Sequence, residues 1–298
     1  MHESTASPTY VIVGASTGLG RATATRLART HRVIVAGRDV ERTRAAVPGA
    51  AAVLPVDLAD LADTHRFARA LTALGPIAGL VCNAGVQDSG APTTTSDGFE
   101  STFAVNHLAH FAIVQDLLPA FAPAARVIWI GSGTLEPAGA RLFGFRGGLY
   151  TTAAQLARGE GDPAVSDAQR ARDRYATSKL CNLLAMAAIA RHEPALATFA
   201  FDPGLMPGTG LARQQPALAR LAWTTIMRPL AWLMPGASSP ARSARALAWL
   251  LTTPDVAGTT GRYFDYRRRE LPWTGSARTD WAEELYATSL QLVSARAR

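Results

Sequence analysis

The chain of 298 residues holds only two cysteines and a single lysine. Cys82 and Cys181 are too few and too far apart for a disulfide framework, and no Cys-x-x-Cys or clustered histidine spacing marks a metal site, so no metal is expected and a reducing, cytoplasmic compartment is. Also missing is any unbroken apolar run of about 20 residues, the length a membrane-spanning helix needs. The nearest stretch, ALARLAWTTIMRPLAWLMP over 217–235, is interrupted by Arg220, Arg228 and Pro229. It reads first as a buried helix pair, with a helical lid or a peripheral membrane contact as the other readings. The first residues, MHESTASPTY, lack the basic-then-apolar order of a secretory signal. A formal charge of +7 comes from scattered arginines with one dense run, Arg267 to Arg269. Without an aromatic-interleaved basic stripe or zinc-finger spacing, nucleic acid is not an expected partner.

The scarcity of lysine makes its one position informative. With 29 arginines supplying the rest of the 30 basic side chains, the ammonium of Lys179 stands four residues after Tyr175 in YATSK. On a helix that spacing puts both on one face. An ammonium is a compact point charge that can sit beneath a phenolic oxygen and still reach a ribose, which a broad planar guanidinium does less well. The pair therefore points to a tyrosine used for proton transfer.

Short β-branched runs alternate with helical patterns from the start of the chain. Strands are predicted at 9–14, 31–37, 51–57, 77–85, 125–132, 195–204 and 261–266, and helices at 18–30, 39–47, 60–73, 97–121, 174–192 and 240–252. Strands apolar on both faces and alternating with helices imply an α/β, doubly wound parallel sheet of Rossmann type, about seven strands with helices on both faces. A single domain over 1–298 is expected. It would carry a long insertion at 134–174, rich in glycine and polar residues, and a lid-like segment at 205–238.

GASTGLG follows the first strand and opens a helix. Gly14 permits the tight turn, Gly18 lets backbone approach a pyrophosphate and Gly20 allows close helix packing, while the free amides of Ser16, Thr17 and Leu19 and their neighbours attract the anion. At the exit of the second strand stands Arg38, where an acidic residue would bind the ribose of NAD; a guanidinium there suits a 2′-phosphate, so NADP(H) is favoured over NAD(H). Asp39 reads as the cap of the next helix. Asp57 and Leu58 follow the third strand, placed for the adenine edge, although Asp57 also reads as a helix cap. Asn83, Ala84 and Gly85 place small residues where a dinucleotide would lie against the backbone. Ser132 ends the fifth strand at the carboxyl edge of the sheet, where α/β sites form. Pro203, Gly204 and Thr209 suit a loop beside a nicotinamide. Asn106 lies inside the long helix after the fourth strand and means little by itself.

Taken together, GASTGLG, NAG, VNHLAHF, Ser132, YATSK and DPG, in this order over roughly 9–266, resemble the short-chain dehydrogenase/reductases. VCNAG, VNHLAHF, SKLCN and PGLMPGTGL are most similar to the light-dependent protochlorophyllide reductases, with the retinol dehydrogenases next. The resemblance implies that Tyr175 is the general acid/base, that Lys179 lowers its pKa and binds the nicotinamide ribose, that Ser132 orients the substrate oxygen, and that Asn106 anchors a water relay to Lys179. It implies an NADP(H)-dependent oxidoreductase acting on an apolar carbonyl or alcohol. Reduction of a carbon–carbon double bond and non-catalytic NADP(H) sensing are the alternatives. A small-molecule substrate is expected; a homo-oligomer is compatible with the sequence.

Overall fold

The computed structural model describes residues 8–135, 141, 144–206, 236–273 and 278–295. Its frame is one sheet of eight strands in the order β3-β2-β1-β4-β5-β6-β7-β8. These are β1 (Thr9–Val13), β2 (Arg32–Gly37), β3 (Ala52–Pro55), β4 (Ile77–Cys82), β5 (Phe121–Ile130), β6 (Ala197–Asp202), β7 (Arg262–Asp265) and β8 (Glu270–Leu271). The first seven run parallel and β8 pairs antiparallel to β7.

Alternation along the strands builds two cores, because successive side chains leave a strand on opposite faces. Val11 and Val13 join Ile34, Phe67, Leu80, Trp129 and Leu183 on one face, whereas Tyr10 and Ile12 join Val33, Val35, Phe199, Phe201 and Leu247 on the other. Helices α1 (Gly18–Leu27) and α8 (Pro240–Thr252) pack together over the second face. Over the first lie α3 (Leu61–Thr72), α5 (Ala109–Leu117), α7 (Asp167–His192) and α9 (Thr279–Ser294). Strand order reverses between β1 and β4, which opens a crevice at the carboxyl ends of the central strands.

The doubly wound parallel sheet is as expected, with one strand more than the seven read from sequence. β8 is two residues long and follows the arginine run, too short to show a period of two. The predicted helix at 97–121 is instead α4 (Ser101–Phe103), a π-helical turn at Ala104–Leu108 and α5. α7 begins at Asp167, not 174, capped by Ser166, so the irregular part of the 134–174 insertion is shorter than its composition suggested; it also contains α6 (Ala153–Ala157). The sequence reading overlooked α9, although Ala282, Leu285, Ser289 and Val293 recur at helical spacing and are buried in it. α9 lies along α7, whose residues from Tyr175 to Ile189 are all buried.

At 205–238 the two stems are joined: Leu205 N–H donates to the Gly236 carbonyl at 2.9 Å and Ser238 N–H to the Leu205 carbonyl at 2.8 Å. Thr209 and the Trp-bearing stretch 217–235 lie outside the described residues. No described helix is long and apolar enough to cross a membrane. No group of three or more His, Cys, Asp or Glu among the described residues could hold a metal ion.

Candidate active site

The crevice has a dinucleotide end and a reactive end. At the first, Gly14 turns with φ +83°, and a Cβ there would lie 2.7 Å from that of Ala84. A Cβ on Gly20 would stand 2.3 Å from the Gly14 carbonyl oxygen. Asn83 fastens this turn by donating its amide to the carbonyls of Gly14 at 2.8 Å and Val13 at 3.2 Å. Asn83 is therefore a structural pin, and Ala84 packs against the turn it secures. Side chains of Asp39, Asp60, Ser166 and Ser239 cap α2 (Val40–Ala46), α3, α7 and α8, but Thr17 gives α1 no such bond. The first amides of α1 thus keep their donors, with the helix dipole behind them, and Gly18 beside them takes φ +59°. Ser16 and Thr17 are half-buried at this turn and Leu19 is buried. This donor set fits a pyrophosphate.

Arg38 is exposed at the β2 exit, and its guanidinium has no partner among the described residues. Asp39 does cap α2, accepting the Arg42 N–H at 2.9 Å. Asp57 is not the cap of α3: Asp60 is, accepting the Asp63 N–H at 2.9 Å. Asp57 instead accepts the Ala59 N–H at 3.0 Å and stays exposed, with Leu58 buried next to it.

The reactive end is assembled from three elements. Tyr175 and Lys179 project from one face of α7, both buried, with the Lys179 Nζ 5.6 Å from the centre of the phenol ring. The Tyr175 side chain is hydrogen-bonded to Ser132, just past the end of β5. Thr134 donates to the Ser132 Oγ from its backbone N–H at 3.2 Å and its hydroxyl at 3.0 Å. With those acceptor sites used, the Ser132 hydroxyl is aimed by Thr134, a residue the sequence reading missed. Its signal was the two-residue spacing of a serine turn.

Asn106 sits in the π-helical turn, an irregularity that recurs at functional sites. Its amide nitrogen donates to the Val86 carbonyl and to the Ser178 Oγ, both at 2.9 Å, while its oxygen accepts the Val86 N–H at 2.7 Å. Ser178 in turn donates to the Tyr175 carbonyl at 2.7 Å. Asn106 thereby ties the loop after β4 to α7. A Cβ on Gly85 would meet the Asn106 Oδ1 at 3.1 Å and the Lys179 Nζ at 3.4 Å, so the missing side chain keeps the space between them open. Pro203 and Gly204 border the crevice beyond β6: the Pro203 carbonyl accepts the Ser243 hydroxyl at 2.6 Å, and Gly204 has φ +71° against Tyr266.

Burial dominates the electrostatics. It pushes Tyr175 up to about 12; the bond from Ser132 pulls the other way and the charge of Asp202 adds to the rise. Burial brings Lys179 down to about 8. In the protein alone the phenol is thus held above its ordinary value of 10, because desolvating a phenolate outweighs what the hydrogen bond from Ser132 returns. His107 and His110, one turn apart behind the site, are also buried. His110 is brought down to about 4 by burial and further by Lys179, against its hydrogen bond with the Ala84 carbonyl at 3.0 Å. His107 falls to about 3, through burial and then the charge of His110. Its Nε2 lies 3.0 Å from the Ser289 hydroxyl on α9, a contact that ties two helices together.

A doubly wound sheet, an uncapped glycine turn at its switch point, and a serine–tyrosine–lysine set at its carboxyl edge define a dinucleotide-binding oxidoreductase architecture. Residues 8–142 match the family model for short chain dehydrogenase. Protochlorophyllide reductase A of Oryza sativa is 34% identical over 87% of this chain and 72% of its own length. Polyprenol dehydrogenase of Mus musculus is 32% identical over 96% of this chain and 83% of its own. The chain belongs to the short-chain dehydrogenase/reductase family. A blue fluorescent protein from a metagenomic library, solved in complex with NADPH, shares the fold at 23% identity, with a TM-score of 0.62 over 87% of this chain and 95% of that one.

Proposed function

We propose that this protein is an NADP(H)-dependent oxidoreductase that moves a hydride between nicotinamide and an apolar carbonyl or alcohol, with Tyr175 as general acid/base. The observation that carries this reading is the buried Tyr175 hydroxyl bonded to Ser132, with the Lys179 ammonium against its ring. NADPH, when bound, supplies the hydride. The chain's own residues supply the rest. A phenol with its pKa near 12 is fully protonated at neutral pH, the form needed to give a proton to a developing alkoxide. Ser132, aimed by Thr134, donates a hydrogen bond to that same oxygen as its charge grows. Lys179 is placed to bind the nicotinamide ribose and to supply positive charge to Tyr175 when it acts as a base. Asn106 holds the Tyr175 turn through Ser178, and Oδ1 keeps one lone pair for the water of a relay to Lys179. Gly14, Gly18 and Gly20 with the first amides of α1 take the pyrophosphate, Arg38 the 2′-phosphate and Asp57 the adenine edge. Pro203 and Gly204 would border the nicotinamide.

The polyprenol dehydrogenase relative favours an apolar alcohol or ketone as substrate. The protochlorophyllide reductase relative favours a second reading, in which the same tyrosine protonates carbon during reduction of a carbon–carbon double bond. NADPH consumption measured over ketones, aldehydes, quinones and protochlorophyllide, with and without light, separates the two. No turnover with any of them would favour NADP(H) sensing instead, a reading that leaves the complete Ser132, Tyr175, Lys179 set without a use.

Arg38→Asp is expected to shift the ratio of NADPH to NADH efficiency toward NADH by roughly 10- to 100-fold, the loss of a charge-assisted phosphate contact. An unchanged ratio in steady-state kinetics places the phosphate contact elsewhere. NADPH affinity, read by nicotinamide fluorescence, is expected to weaken as pH rises through about 8, because Lys179 is charged below that value and neutral above it. Lys179→Met should remove this inflection; its persistence would assign the titration to another group.

A further inference from the structure

We infer that Asp202 is a positioning residue for the proposed reaction: its carboxyl group fixes the Ser132 turn against the Pro203–Gly204 loop and sets a negative charge into the crevice near Tyr175. This rests on the reading of Tyr175 as acid/base, and it adds the residue that inclines Tyr175 toward giving its proton. Asp202 is the last residue of β6, and its neighbour Phe201 accepts the Gly131 N–H at 2.9 Å, so β5 and β6 reach the carboxyl edge side by side. From there one chain enters Ser132 and a 3-10 turn at Gly133–Leu135, the other Pro203 and Gly204. The Asp202 side chain joins the two. Its Oδ1 accepts the Gly204 N–H at 2.8 Å, and the carboxyl group also accepts the Gly133 N–H. A Cβ on Gly133 would stand 3.6 Å from Oδ2. Gly133 lies between Ser132 and Thr134, which aims the Ser132 hydroxyl, so Asp202 anchors the backbone on which that hydroxyl is aimed.

The same arrangement brings the charge close to the phenol. Ser132 and Gly133, consecutive in the chain, bond one to the Tyr175 side chain and the other to Asp202. Tyr175 from α7 and Asp265 from β7 are the titratable groups that face Asp202, and neither is a cation. Asp265, its partner across the strands, is itself matched by Arg269, whose Nη2 and Nε lie 2.6 and 2.9 Å from Oδ2. Asp202 makes no ion pair among the described residues; its partners are backbone amides.

Burial pushes the Asp202 carboxyl up, as does Asp265, while the amides of Gly204 and Gly133 pull it down. A carboxyl is still a far stronger acid than a phenol in the same crevice, so Asp202 is ionised wherever Tyr175 begins to lose its proton. Its charge then opposes the phenolate, as like charges do. An asparagine would supply one amide acceptor to the two loops; the carboxylate supplies a second acceptor and the charge. The consequence is directional. Carbonyl reduction uses the protonated phenol and is favoured, whereas alcohol oxidation uses the phenolate and is held back.

Titration of Tyr175 by carbon-13 NMR, in the full chain carrying ζ-labelled tyrosine and saturated with NADP+, tests the inference without a substrate; Tyr175→Phe assigns the resonance. Asp202→Asn is expected to move that titration down by about one pH unit, the effect of removing a like charge close by. With an alcohol and ketone pair that the protein turns over, the same variant should raise oxidation relative to reduction at pH 8 by about tenfold, the gain in phenolate that one unit brings. Asp202→Ala, which removes both acceptors, should slow reduction roughly tenfold or more with NADPH binding retained, and Asp202→Asn should recover part of that loss. A Tyr175 titration at the same pH in parent and Asp202→Asn overturns the inference, because a carboxyl with a merely structural role would leave it in place. So does reduction by Asp202→Ala at the parent's rate. If Asp202→Ala does not fold, the asparagine titration decides alone. Failure of the oxidoreductase reading would show as absent turnover, or as turnover that survives Tyr175→Phe, and the NMR titration is read in either case.

Discussion

Tyr175→Phe is expected to bind NADPH as the parent does and to lose turnover by about two to four orders of magnitude, the usual contribution of a positioned general acid. The substitution removes one oxygen from a buried ring and nothing from the walls around it. The Lys179 Nζ would still face the ring, Asn106 and Ser178 would still hold the turn through the backbone carbonyl of residue 175, and the uncapped end of α1 lies on another element. Loss of NADPH binding together with turnover would make Tyr175 structural. Full activity in the variant would remove the acid/base assignment and move the proton donor to Ser132 or to solvent. In the oxidative direction the tyrosine must first lose its proton, and burial opposes this by holding it near 12. Alcohol oxidation in the parent is therefore expected to rise with pH into the alkaline range while carbonyl reduction does not, and Tyr175→Phe should abolish that rise.

A second large effect is expected in acid. His107 and His110 are held neutral in the fold, with values of about 3 and about 4, whereas in the unfolded chain each takes up a proton near 6.5. Their folded values are depressed, so the stability they contribute is complete above about 6.5 and is lost as pH falls toward the folded values. For His110 the full effect is roughly 3 kcal/mol, a large share of the margin of an ordinary domain. Glu100 and Asp202, buried acids with raised values, work in the opposite sense in the carboxylate range. His110→Gln isolates the histidine, because an amide nitrogen can replace its bond to the Ala84 carbonyl. Urea midpoints at pH 7.5 and pH 5 should differ less in that variant than in the parent; equal differences would show that His110 is not what acid titrates. Since Ala84 also packs on Gly14, protonating His110 should disturb the glycine turn as well as the core.

Much of this arrangement was legible in the chain. A strand run leading into GASTGLG marks the first βα turn, and Tyr175 and Lys179 four residues apart share a helix face. Other features depend on partners distant in sequence. Asn83 reads as a small residue near a ligand, yet its amide is committed to Gly14, 69 residues earlier. Asp57 reads as a helix cap that Asp60, three residues on, in fact provides, since two nearby acids compete for one helix end and local geometry selects between them. Asn106 acquires meaning only from Val86 and Ser178, which the π-helical turn brings within its reach. Thr134 had a local signal, but the serine it aims becomes important only beside Tyr175.

The sequence alone determined the fold class, the glycine turn after β1 and the residue types of the candidate reactive set, because each rests on short-range periodicity or on the distinctive chemistry of one residue type. Tertiary structure decided the charge states of that set, the commitment of Asn83 and Asn106 to scaffolding, and the covering of α7 by α9. Desolvation and hydrogen bonding depend on which groups the folded chain brings together, and no local pattern carries that information.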